Sequence, residues 1–116
     1  MKIQTAKRLL DALIASSELV QLTGGQDIDW YRGVRLHKLA CERLLEIVGE
    51  ALGAAAEIDP RLREDYPEIR QAIGMRHRII HGYDRLDDQI IWQTLVEDIP
   101  PLCITLETLL KDAPPA

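Results

Sequence analysis

A chain of 116 residues, 47% apolar and 28% charged with a formal net charge of −5, has material for one hydrophobic core and not two, and is neither disordered nor fibrous. Aromatics make up 4% and Phe is absent, so the core is aliphatic, and the abundance of Leu, Ala, Ile, Glu and Arg favours helices over a sheet. Two cysteines, Cys41 and Cys103, exclude a disulfide framework or a zinc cluster. With no apolar run near the roughly 18 residues of a membrane span and no signal-like start, they predict a cytoplasmic protein with no membrane partner.

In chain order, the spacing predicts a first helix from Lys7 to Val20, capped by Thr5, with Leu9, Leu10, Leu13, Ile14, Ser17 and Val20 on its inner face. Gly24-Gly25 releases the chain. Asp29 caps a second, longer helix to about Ala56, with a stripe of Val34, His37, Cys41, Leu44, Leu45, Val48, Ala51, Leu52 and Ala55. Glu42, Glu46 and Glu50 form an acidic ridge on another face, with Lys38 and Glu42 an i,i+4 pair. Asp59-Pro60 opens a short turn through Tyr66 and Pro67 opens a third long helix to about Gly82. Asp87 or Asp88 caps the last helix, whose pattern from Trp92 to Leu110 contains Pro100 and Pro101, so it kinks or restarts there. The expected architecture is an all-α, up-and-down bundle of four to five helices over residues 1–112, with a frayed tail at 113–116.

Charge is uneven along this chain. Residues 70–85 carry Arg70, Arg76, Arg78 and Arg85 against Asp84, a net +3, with His77 and His81 in addition, while 86–116 carry −5 and 1–69 carry −3. One cationic segment in an acidic protein reads as a local anion site or as a basic helix neutralised by acidic neighbours, not as a nucleic-acid-coating surface. Within that segment Arg76 falls at the centre of the stripe Ile69, Ala72, Ile73, Ile79, Ile80 and Tyr83. An unpartnered guanidinium on a buried face is costly. Either a carboxylate such as Glu50 pairs with it, or the helix lines a cleft or dimer interface in which Arg76 grips an anion. Gly74 and His81 share a different face, with Arg70 and His77 nearby.

The segment Arg76-His-Arg-Ile-Ile-His81-Gly-Tyr83 resembles the Arg-x4-His-x-Tyr motif of HepT-like proteins, a branch of the HEPN ribonuclease superfamily. Arg32 to His37 repeats the Arg-x4-His spacing but lacks the tyrosine. Leu45-Glu-Ile-Val-Gly-Glu-Ala51, Asp65-Tyr-Pro67 and Trp92 with Glu97-Asp-Ile-Pro100 are also similar to the family, so the resemblance spans roughly residues 5–110. His77 stands where the family often has Asn, and 25–35 matches less clearly.

The resemblance implies a homodimeric, HEPN-like bundle and a metal-independent endoribonuclease toxin without a cofactor, acting on RNA such as tRNA or mRNA. Its 2′-hydroxyl would attack the neighbouring phosphate. His81 would then be general acid/base, Arg76 the phosphate clamp and His77 a polar helper, with Arg70, Arg78 and Arg85 as RNA- or phosphate-binding residues. Tyr83 would be the residue to which a minimal nucleotidyltransferase antitoxin transfers AMP. On an ideal helix Arg76 and His81 sit about 140° apart. Either the helix end unwinds at Gly82, or a two-fold dimer supplies complementary groups.

Other readings compete with this one. The chain could be a non-catalytic helical module that docks on a nucleotidyltransferase and holds nucleotide or RNA, or a structural dimer that merely neutralises Arg76. His77 and His81, at i,i+4, could bind a metal, but no third ligand follows with suitable spacing. His37 reads as a satisfied core histidine, and Cys41 and Cys103 as small buried hydrophobes.

Overall fold

The computed structural model of the protein describes residues 1–82 and 86–112. Four long helices, α1 (Ile3–Thr23), α3 (Arg35–Ile58), α5 (Pro67–His81) and α7 (Ile99–Lys111), alternate with short α2 (Ile28–Gly33), α4 (Arg61–Asp65) and α6 (Asp88–Gln93). A π-helical turn, Thr94–Asp98, joins α6 to α7. The fold is all-α, and no strand occurs among the described residues. Helix α3 is central: α1 packs on one side of it, α5 on the other, and α7 lies on α1. Lys2 and Thr5, at the start of α1, share a groove with Ile58 and Asp59 at the end of α3, so these two helices run antiparallel. Helices α5 and α7 touch only slightly, which leaves the bundle open between α5 and the α6–π segment.

The core is aliphatic, as the composition requires: Leu9, Leu19, Leu45, Leu52, Ile69, Leu95, Leu102 and Leu106 are at most 2% exposed. Each such side chain contributes roughly 1.5–3 kcal/mol relative to exposure. Helices α3 and α5 come very close at Gly49. A Cβ on Gly49 would lie 2.3 Å from Arg76 Cβ and 3.0 Å from the Ala72 carbonyl oxygen, so only glycine lets the two helices meet at this point.

Several sequence expectations are corrected. Helix α1 begins before Thr5, which is buried within it rather than capping it. Its inner face is Leu9, Ala12, Ala15, Ser16 and Leu19, while Leu10 and Ile14 are about half exposed. Small residues were the better guide, because they allow α3 and α7 to approach. The expected second helix is two: Asp27, not Asp29, caps α2 by accepting from the Trp30 N–H (3.0 Å), and extended Val34 separates α2 from α3. Lys38 pairs with Asp88 at 3.0 Å rather than with Glu42. Glu42 and Glu46 are half-buried, leaving Glu50 as the exposed member of the ridge.

Helix α5 spans the expected residues, but its buried stripe is Ile69, Ala72, Met75 and Ile79. Arg76 therefore lies at the stripe's edge, half-buried, and Ile80 is exposed. Asp87 caps α6 by accepting from the Gln89 N–H at 2.8 Å. Pro100 and Pro101 are absorbed as a restart. The Ile99 N–H donates five residues back to the Thr94 carbonyl, and the one-residue slip puts both prolines in the first turn of α7, where no N–H is needed.

Candidate active site

The C-terminal half of α5 carries the candidate residues on two faces. On one, Arg76 lies in a groove between α3 and α5 with Gly49, Glu50, Gly53, Glu57 and Arg63. Its Nε is buried and has no hydrogen-bond partner among the described residues. Glu50 lines the same groove, yet no Glu50–Arg76 ion pair occurs among the described residues. A buried, unanswered N–H on a permanent cation is a feature a bound oxyanion would satisfy.

On the other face, His77, Arg78 and His81 line a groove of about 430 Å3 with Met75, Asp87 and Ile90. The two imidazoles stand 4.4 Å apart between centroids, tilted by 47°. Arg76 is not among the residues lining it, so in one protomer Arg76 and His81 open into different grooves. Helix α5 remains regular through His81, with the Gly82 N–H donating to the Arg78 carbonyl (2.9 Å). The helix end does not unwind to bring the two groups together.

Arg70 is engaged elsewhere. Its guanidinium donates to the Arg63 and Glu64 carbonyls, at 2.6 and 3.0 Å, and so caps the last turn of α4 at the opposite end of α5 from His81. Tyr83 and Arg85 lie outside the described residues. Among the described residues, no group of three His, Cys, Asp or Glu side chains is placed to hold a metal ion. Cys41 and Cys103 are both buried. Burial pushes the Cys41 thiol up to about 11, with Glu42 adding to it, and burial raises Cys103 as well. Both are poor nucleophiles at neutral pH.

A second cluster went unread in the sequence. His37 is half-buried, donates from Nδ1 to the Trp30 carbonyl (2.8 Å) and stacks on Trp30 with centroids 4.0 Å apart. It is thus a satisfied histidine at the rim of the core. Trp92 approaches both Trp30 and Tyr31, at 6.2 and 6.0 Å, and Asp88 bridges Lys38 and Arg32. This cluster fastens α2 and the start of α3 to α6, which forms one wall of the His81 groove. The available signal was Asp27 three residues before Trp30, a cap ahead of an aromatic pair.

Fold and site together define a small helical-bundle protein with a His- and Arg-lined groove along one helix. The chain belongs to the HepT-like ribonuclease family, whose model matches residues 4–109. It is 31% identical to a Methanocaldococcus jannaschii protein named as a candidate RNase, over 90% of this chain and 89% of that one. A second protein of that organism, similarly named, is 30% identical over 90% of this chain and 85% of its own length. A Thermococcus cleftensis protein named a probable ribonuclease HepT is 38% identical over 64% of this chain and 66% of its own. No solved structure matches the chain.

Proposed function

We propose that the protein is a metal-independent endoribonuclease toxin that cuts RNA through the Arg76-x4-His81-x-Tyr83 motif. The observation that carries this is the open groove beside α5, lined by His77, Arg78 and His81, in a chain of a ribonuclease family. In the reaction, His81 accepts the proton of a ribose 2′-hydroxyl. The 2′-oxygen bonds to the adjacent phosphorus, and the bond from phosphorus to the 5′-oxygen breaks. A proton returned to that oxygen completes the cut, leaving a 2′,3′-cyclic phosphate and a 5′-hydroxyl. Imidazole suits this because it exchanges protons near neutrality. Arg76 offsets the charge building on the phosphorane, with a planar fork that lysine lacks. Because Arg76 and His81 open into different grooves, the complete site is composed across the two-fold axis of a homodimer.

Regulation belongs to the same proposal. A minimal nucleotidyltransferase antitoxin transfers AMP from ATP to the Tyr83 hydroxyl, releasing pyrophosphate. The ester then occupies space and cationic charge that RNA requires.

The test is cleavage of tRNA and messenger RNA in EDTA by the purified protein, beside Arg76→Ala and His81→Ala, with intact mass from the same preparation. Discrete cuts by the parent protein, absent in both variants, are expected. No cuts with a mass raised by adenylyl groups means a silenced toxin. No cuts at the unmodified mass favours the non-catalytic binding module and overturns the enzyme.

A further inference from the structure

The groove beside His81 continues along α5 into a second depression of about 330 Å3, which Gln71, Gly74, Gln93, Thr94 and Asp98 line. The two share Met75, Arg78 and Ile90. Ten residues separate His81 from Gln71, about 15 Å of helix, room for the nucleotide at the cut and a neighbour.

The far end has a chemistry of its own. Its floor is open: Gly74 carries no side chain, and a Cβ there would meet nothing within 4 Å, while Ile90, 43% exposed, offers aliphatic surface to a planar ring. Its wall carries Asp98, the last residue of the π turn. The π turn sets the angle at which that carboxyl meets the groove, since a continuous α-helix would rotate it by about a third of a turn. Two of the neighbouring polar groups are already engaged. Gln93 Nε2 donates to Glu97 Oε2 at 3.1 Å and Thr94 Oγ1 to the Ile90 carbonyl at 3.0 Å. Asp98 takes part in no hydrogen bond or ion pair among the described residues and is half-buried. A carboxylate repels phosphate and accepts N–H donors, so this end of the groove suits a base edge and not the backbone.

We propose that the depression is a base-recognition subsite. The nucleotide adjoining the scissile phosphate lays its base over Gly74 and against Ile90 and donates to the Asp98 carboxylate, while Arg78, at the junction, holds the phosphate between the two nucleotides. The base whose Watson–Crick edge presents two parallel donors to one carboxylate is guanine, through N1–H and the 2-amino group. The protein therefore selects guanosine beside its cut. This rests on the ribonuclease reading, and its test separates the two.

Short RNAs carrying guanosine, inosine or adenosine at a single position are titrated against the His81→Ala protein, with Asp98→Ala and Gly74→Leu each added in turn. Cleavage by the parent protein is mapped on the same RNAs. Guanosine is expected to bind about tenfold more tightly than adenosine, with inosine, which lacks the 2-amino donor, in between. Either added substitution should bring the ratio close to one. Gly74→Leu projects into open space and replaces a helical glycine, so circular dichroism should show a folded protein. Equal binding of the three RNAs, or a preference unchanged in both variants, overturns the subsite. Guanosine-selective binding without cleavage by the parent protein sinks the ribonuclease and keeps the subsite; cleavage with no guanosine preference does the reverse.

Discussion

Arg76 owes its position to a glycine on another helix. With a Cβ on Gly49 only 2.3 Å from that of Arg76, Gly49→Ala must push α3 and α5 apart. Overpacking of this kind costs roughly 1–3 kcal/mol. The expected outcome is a fall of several degrees in Tm, read by thermal unfolding, with cleavage lost beyond what the unfolded fraction explains because the guanidinium moves with its backbone. Unchanged activity in the folded Gly49→Ala protein would show that Arg76 needs no such placement.

Cys41 gives a second prediction at this scale. Its folded pKa, about 11, lies above the ordinary value of 9.0, so the unfolded chain releases this proton first. The native state is favoured fully below pH 9, and this contribution is lost as pH rises from 9 through 11, about 3 kcal/mol at most. Tyr31, also raised by burial, extends the loss to higher pH. Urea unfolding at pH 8 and pH 10.5 should show the decline, and Cys41→Ala should flatten part of it.

Among elements, the π turn does what no single residue could. Deleting one residue from it, Val96, would restore a continuous α-helical register and carry Pro100 out of the first turn of α7, where it costs a hydrogen bond and a clash worth about 3 kcal/mol. The expected result is a destabilised protein with altered cleavage positions, checked by melting curves and by mapping the ends of the products. The aromatic clasp of Trp30, His37 and Trp92 belongs to this scale too. His37→Ala would remove a hydrogen bond and a stacked ring, about 1–2 kcal/mol together, and loosen α6 against α3 without touching α5.

For the whole molecule, the decisive geometry is that Arg76 and His81 open into different grooves of one protomer. If the site is shared across a two-fold axis, Arg76→Ala and His81→Ala chains unfolded together and refolded as mixed dimers should recover cleavage. Half of the dimers would then each hold one intact site, about a quarter of the parent activity. A mixture as inactive as its components would place both groups of one site in the same chain. Likewise, Tyr83→Phe should stay active yet escape the antitoxin, and silencing of that variant by a co-expressed transferase would refute Tyr83 as the target.

Much of this was legible along the chain, because it depends on local chemistry. Aliphatic composition and 3.6-residue spacing determined an all-α bundle, Pro67 and Gly82 marked the ends of α5, and the motif spacing led to the HepT-like family. Burial of both cysteines also follows from their place in apolar stripes. What the sequence could not decide depends on neighbours. The inner face of α1 departs from its most hydrophobic stripe because large side chains sit at its rim and small ones where helices touch. The break between α2 and α3 was hidden by a hydrophobic pattern that runs through Val34. Arg70 stands in the sequence simply as one more cation of the basic segment, and only the packing of α4 against α5 gives its guanidinium two carbonyls. Asp98 is one acidic residue among many until the π turn and the gap between α5 and the α6–π segment make it the wall of a groove. Helix phase is a property of the chain, but which residues face a common space is set only when separate helices are packed together.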